Sequence, residues 1–358
     1  MSYKNFRTLV AAWYSLRVVP VCAIFLALFA MGCSSVLEEQ QTGGPGGSGA
    51  STGVASTGGS GGAGGCAAGK ITTLAENQGH PTQILVDATH VYWRGSGLGA
   101  EVRSVAKTGG TPSVIVSGQA FVDAITVDAD QLYWTGTPDP KSPTDDIHAV
   151  AKTGGASKKL ATTKTQIAGI ASDQGNLYLT TYSGEVLSMP SAGAAPTVLL
   201  AIPQQVMRDV VVDDARVYWF NAGQHNIMSM PKLGGDPSLF VEKVGETIQI
   251  GHDDDRLYWN GGGVILAKPK SAATSDAPDV VAFTKSSPSR VVVDASCIYW
   301  TTSTTLQDAS PALWAAPKSG GDPVQIAEGM EASIPLVVDE TGVYWADNDT
   351  GAIMRLAK

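Results

Sequence analysis

Apolar and polar positions along this chain fall into one phrase that recurs seven times. An apolar residue followed by Tyr stands at Val91-Tyr92, Leu132-Tyr133, Leu177-Tyr178, Val217-Tyr218, Leu257-Tyr258, Ile298-Tyr299 and Val343-Tyr344. Trp follows in six copies (Trp93, Trp134, Trp219, Trp259, Trp300 and Trp345), and Leu179 takes its place in the third. Five residues before each Tyr is an Asp: Asp87, Asp128, Asp173, Asp213, Asp253, Asp294 and Asp339. The spacings between successive Tyr residues are 41, 45, 40, 40, 41 and 45. Upstream of the Asp lie short β-branched runs such as Ile84-Leu85-Val86, Val210-Val211-Val212 and Val291-Val292-Val293. Continuous apolar runs of this length suit strands covered on both faces.

Each unit parses into four strands. The β-branched run is the first, and its closing Asp can accept backbone N–H groups in the following turn. The Tyr-Trp pair lies on the second. A third strand runs to a basic residue in most copies (Val102 to Lys107, Ile147 to Lys152, Ile227 to Lys232, Leu313 to Lys318), often before a Gly-Gly turn such as Gly109-Gly110 or Gly320-Gly321. A short outer strand such as Lys159-Leu160-Ala161 completes the unit. Four strands at a period near 42 residues predict an all-β fold, a seven-bladed β-propeller of four-stranded antiparallel blades. The last unit stops at Lys358 after its third strand, while Ile71-Thr72-Thr73-Leu74-Ala75-Glu76 resembles the outer-strand segment Val324-Gln325-Ile326-Ala327-Glu328. The N-terminal strand is therefore expected to complete the C-terminal blade, which closes the ring over residues 70–358 and removes an exposed sheet edge.

Composition agrees with a turn-rich body: 41 Gly and 19 Pro among 358 residues, with only 16% charged. The formal charge is −9. Lys4, Arg7 and Arg17 lie in an acid-free leader, so the remainder carries −12. A nucleic-acid role is disfavoured, because phosphate binding draws on a surplus of Lys and Arg. Behind those basic residues, Val18 to Met31 is an uncharged apolar run of fourteen residues. As a helix it spans about 21 Å, short of the ~30 Å hydrocarbon core, which suits an export signal over residues 1–32 better than a membrane span. It ends in Ala30-Met31-Gly32-Cys33-Ser34-Ser35, which resembles the lipobox of bacterial lipoproteins with Ala30 where Leu is usual. The resemblance implies lipidation at Cys33, a membrane anchor and a place in the cell envelope, with the outer membrane or cell surface favoured. Residues 33–69 are rich in Gly, Ser, Thr and Ala and read as a flexible tether, about 33 Å in root-mean-square reach from Ser34 to Gly69.

The Tyr-Trp phrase, in forms such as Tyr133-Trp134-Thr135 and Tyr299-Trp300-Thr301, resembles the YWTD-type propellers and the wider NHL and TolB-like group. The YWTD group usually has six blades, whereas seven copies stand here, and no Asp follows the Thr. The resemblance implies a fold and a packing scheme, and propellers host unrelated functions.

The repeated Asp, Tyr and Trp are expected to serve turn closure and packing between blades, with the aromatic polar tips finding partners. None of His80, His90, His148, His225 and His252 has a partner at metal-ligand spacing, and Asp253-Asp254-Asp255 lacks a following EF-hand glutamate. There is no nucleophile elbow or phosphate-cradling loop, and no cofactor is implied. In an exported chain Cys66 and Cys297 can form a disulfide clamping the ring closure; the alternative is a buried Cys297 and a free Cys66.

Functional candidates come from the mouth of the central channel, where the first strands begin. Nine residues before each Tyr stand Gln83, Ala124, Gly169, Asp209, Gln249, Arg290 and Pro335, with Asp123 and Arg208 one position earlier. These vary between blades, unlike the repeated Asp. Two long connections on the same face, Gly136–Asp146 and Ser303–Ala312, account for both 45-residue spacings. A monomeric binding or protein-interaction module, with a protein or small-molecule partner, is the leading expectation. Its rivals are a hydrolase, lactonase or lyase using acids such as Asp123 and Asp209, with or without a divalent metal, and a structural envelope protein.

Overall fold

Among the described residues of the computed structural model, twenty-eight strands pair into seven four-stranded antiparallel sheets. The described residues are 65–95, 100–139, 142–245, 249–284, 286–302, 311–329 and 335–358. The leader, Cys33 and all but the end of the tether lie outside them, as do residues 303–310 of the second long connection. Six sheets are consecutive in sequence; blade 1, for example, comprises Pro81–Val86, His90–Gly95, Ala100–Ala106 and Ser113–Gln119. The seventh combines Leu336–Asp339, Gly342–Asp347 and Ala352–Ala357 with the N-terminal strand Ile71–Ala75, which pairs antiparallel with the last strand of the chain. The protein is an all-β, seven-bladed propeller.

The second strand shows why the phrase repeats. Side chains alternate across a strand, so Tyr and the residue after it face opposite neighbours. Tyr92 of blade 1 packs with Trp134 of blade 2, and Tyr178 with Trp219. Tyr218 likewise meets Trp259, Tyr258 meets Trp300, Tyr299 meets Trp345 and Tyr344 meets Trp93. At the remaining seam Tyr133 meets Leu179. All six Trp side chains are at most 1% exposed. Each seam is thus a separate hydrophobic core. One expectation fails: the indole Nε1 atoms of Trp93, Trp219, Trp259 and Trp300 have no hydrogen-bond partner, because the ring enters a slot lined by apolar side chains.

On the face where the first strand turns into the second, the seams carry a polar latch. In blade 1, Asp87 Oδ1 accepts the N–H groups of Thr89 and His90, both at 2.8 Å. Its Oδ2 accepts Tyr92 Oη at 2.9 Å and Lys152 Nζ of blade 2 at 2.7 Å. The lysine follows the third strand directly, and its own N–H is held by the Asp130 carbonyl of its own turn. The same ion pair joins Lys232 to Asp173, Lys270 to Asp213, Lys318 to Asp253, Lys358 to Asp294 and Lys107 to Asp339. Four of these ammonium groups also lie 5.2–5.7 Å from the ring centroid of the preceding blade's Tyr.

Blade 3 departs from the pattern. Ser191 occupies the lysine position, so Asp128 of blade 2 has no such partner from blade 3. Asp173 does not cap its turn as the sequence pattern implied. It ends the strand Ile167–Asp173 and pairs with Asn176 across a two-residue hairpin, Gln174-Gly175, both with positive φ (44° and 76°). Such a turn matches the strand twist without a side-chain cap.

Cys66 and Cys297 are joined by a disulfide, with Cα atoms 5.8 Å apart. Cys297 stands in the turn capped by Asp294, to which it donates its N–H at 2.7 Å. The bridge therefore ties the approach to the N-terminal strand onto blade 6, beside the Lys358–Asp294 latch.

Candidate functional site at the channel mouth

The first strands of successive blades contact one another around the ring and so line its axis. At the end opposite the latches they enclose a cavity of about 260 Å³. Every blade contributes: Gln83, Asp123 with Ala124, Gly169, Arg208 with Asp209, Gln249, Arg290, and Pro335. The structure thus brings all the channel-mouth candidates read from the sequence to one place. It adds Arg94 and Tyr182, which come from the ends of second strands.

Backbone irregularity aims these side chains inward. The pairing of first and second strands slips by one residue between Pro81 and Gln83, Ile167 and Gly169, Arg208 and Val210, and Pro288 and Arg290. A bulge inserts an unpaired residue and turns its neighbours off the regular alternation. In blade 4 the inserted residue is Asp209 itself, with φ of 47°. Asp and Asn tolerate this left-handed conformation better than most side chains. Gly169 lies against the bulge: a Cβ there would stand 2.9 Å from Thr180 Oγ1 and 3.4 Å from the Asp209 carbonyl carbon.

The polar groups are held in place by bonds across seams. Gln83 accepts the Ile125 N–H at 3.0 Å and donates to the Ile125 carbonyl at 2.9 Å, pairing with the neighbouring blade as a strand would. It also accepts Arg94 Nε at 3.2 Å, and Arg94 Nη1 donates to the Val122 carbonyl at 3.1 Å. Arg290 Nη1 donates to Gln249 Oε1 at 3.2 Å, while its buried Nε has no partner. Burial depresses both guanidinium pKa values, opposed by Asp123 near Arg94 and Asp209 near Arg290. Asp209 Oδ1 accepts its neighbour Val210 N–H at 3.1 Å, and Oδ2 accepts the Ile250 N–H from blade 5. Burial still dominates and raises the Asp209 pKa to about 6, against these bonds and the charge of Arg290.

Asp123 belongs to a separate network. It accepts the Thr137 N–H at 3.2 Å, and Thr137 Oγ1 also lies 2.8 Å from buried Asp145, whose other oxygen accepts the Ile167 N–H of blade 3 at 2.7 Å. The long connection after Gly136 is thereby anchored across the seam that lacks a lysine latch. Asp123 and Asp209 sit on blades 2 and 4, each with its own backbone donors. Among the described residues no three His, Cys, Asp or Glu side chains are grouped to hold a metal ion. Among the described residues the mouth presents three arginines, two amides, a tyrosine and two separately held carboxylates.

Arg94 had a signal in the sequence. The position after the aromatic pair is Thr135, Thr180, Phe220, Asn260, Thr301 and Ala346 in the other blades, and only Arg94 carries a charge there. Tyr182 had none, since it lies past the end of its strand.

No protein-family model matches the sequence, and neither does any curated protein. Solved propellers match the fold. U3-55K is similar with a TM-score of 0.61 at 11% identity, over 82% of this chain and 99% of that one. YCF48 bound to D1 peptide gives 0.61 at 11% identity, over 81% and 96%. BamB from Moraxella catarrhalis gives 0.51 at 13% identity, over 78% and 85%. At such identities the likeness is one of architecture.

Proposed function

We propose that this protein is a lipid-anchored, extracytoplasmic binding module, exported by its leader, tethered to the cell envelope through Cys33 and engaging a partner as a monomer at the mouth of its channel. One observation carries the reading: residues that differ from blade to blade converge on one axial cavity, while residues that repeat are used in the seams. Variable groups on a rigid frame are where recognition resides. YCF48, a propeller of similar fold, has been solved bound to a peptide. Residues 66–70 join the body on the latch face, at the end opposite the mouth.

The test is capture of partners from solubilised envelope by the full-length protein, alongside Asp209→Ala and Arg290→Ala. Loss of the same partner in both variants is the expected result; unchanged capture would remove the mouth from consideration. In the source cells, Cys33→Ser should shift the protein from the membrane fraction to the soluble one. Persistence in the membrane would refute the anchor.

A further inference from the structure

Charge at the mouth is unbalanced in a particular way. Among the described residues that line it, Arg94, Arg208 and Arg290 meet with Asp123 and Asp209 as opposing charges, in a protein that is acidic as a whole. Two of the arginines are fixed in advance. Arg94 spends two of its three nitrogens on Gln83 and the Val122 carbonyl, and Gln83 is itself clamped at both ends by Ile125. Arg290 spends one on Gln249 and keeps a buried Nε unpaired beside the cavity it lines. A buried donor without an acceptor is unfavourable unless a ligand supplies one. Arg208 is exposed at the rim, where it adds long-range attraction for an anion.

We propose that the channel mouth is a receptor for a single carboxylate group, offered by an acidic side chain, a peptide C-terminus or a small organic acid; this rests on the mouth being the binding site. Planar guanidinium forks match a carboxylate geometrically. Among the described lining residues, three arginines against two aspartates leave one formal positive charge, which a monoanion neutralises and a dianion would overshoot. Asp209 makes the site responsive to acid. It faces Arg290, the flanking Arg208 and the N–H groups of Val210 and Ile250, with Arg94, Asp123, Tyr182 and Gln249 on the other walls. Its protonation near pH 6 removes one of the two competing carboxylates.

The experiment is calorimetric titration of the folded protein with benzoate, a blocked tripeptide with central glutamate and a tripeptide with a free C-terminus. Each is run beside its neutral amide counterpart, and inorganic phosphate is included. At least one carboxylate should bind about tenfold or more tightly than its amide, and the tightest names the source. Arg290→Gln and Arg94→Gln should each weaken it about tenfold, with Arg290→Lys recovering only part because it keeps charge without the fork. Between about pH 8 and about pH 5 affinity should rise several-fold, and Asp209→Asn should hold the acid-side affinity throughout. Carboxylates no better than amides, or arginine variants binding as wild type, would overturn the proposal. Phosphate binding most tightly, and lost in Arg290→Gln, would overturn the carboxylate class while leaving the mouth as a site. Partner capture insensitive to Asp209→Ala and Arg290→Ala would instead overturn the mouth itself.

Discussion

The two ends of the same inner strands obey different rules. At the latch end, an aspartate pairs with the next blade's lysine at six of the seven seams, and at four of them the tyrosine hydroxyl donates to the same carboxylate. At the mouth end, a few residues away on the same strands, charge follows no such rule: Arg94, Asp123, Arg208 with Asp209, and Arg290 come from blades 1, 2, 4 and 6, and the other three blades line the cavity without a charge. A ring of similar sheets must solve one packing problem at every seam, so the groups that solve it repeat. A ligand on the axis meets all seven blades once, so the groups that touch it have no reason to repeat. The second blade-to-blade seam marks the boundary between the rules: it has Leu179 for Trp and Ser191 for Lys. In exchange it gains the Asp123–Thr137–Asp145 network and the Ser172 hydroxyl, which donates to the Val127 carbonyl at 2.7 Å.

The sharpest way to break this contrast is to set a seam residue against a mouth residue. Trp300→Ala should cost about 3–5 kcal/mol in denaturant unfolding by opening a cavity between blades 5 and 6, whereas Arg208→Gln, at the exposed rim of the mouth, should leave stability nearly unchanged. Replacing Cys66 and Cys297 together by Ser should cost about 2–4 kcal/mol, and non-reducing mass analysis of the wild type should find no free thiol at either position. Lys318→Met should cost about 1–2 kcal/mol by leaving the partly buried Asp253 without its cation.

The latches also set the acid limit. Burial alone would raise the pKa values of Asp87, Asp213, Asp253, Asp294 and Asp339, but lysine and backbone N–H bonds outweigh it and hold them below the usual range. A folded-state pKa below the unfolded one gives stability that is full above the unfolded value, about 4, and lost as pH falls through the folded value. Melting temperature should therefore decline steeply only below about pH 4, and less steeply in Lys318→Met. Asp209 has the opposite sign: its raised pKa means the fold loses stability as pH rises from about 4 to about 6, and the loss is complete above that. Asp209→Asn should gain about 1 kcal/mol at about pH 8, with the gain vanishing near pH 4. The smallest expected effect sharpens the contrast by repair. Ser191→Lys should supply Asp128 with the missing latch and add about 0.5 kcal/mol, read as a slight rise in melting temperature.

Much of the scaffold was legible because seam residues recur at fixed distances from Tyr. The number of blades, the closing strand and the positions lining the mouth all follow from that phase. The lysine latch was hidden although its residues were in view. Connections between second and third strands differ in length, so the lysine falls 15, 19, 14, 12, 19 and 14 residues after its blade's Tyr and has no constant phase. Its partner is also on the previous blade, 57 to 65 residues away in five cases and 232 at the closure. The unpaired tryptophan N–H groups were unforeseeable for a related reason, since slot depth depends on how closely two sheets approach.

Repetition is a one-dimensional signal. The chain alone therefore determined a closed seven-part wheel of β-sheets, the strand that seals it, and which positions are free to differ. Direction and partnership are three-dimensional. Only the tertiary structure decided that one-residue bulges turn Asp209 and Arg290 toward the axis, that Gln83 locks Arg94 beside them, and that each lysine reaches back to the preceding blade. Side chains far apart in sequence acquire their field and their hydrogen bonds from neighbours that exist only once the ring is closed.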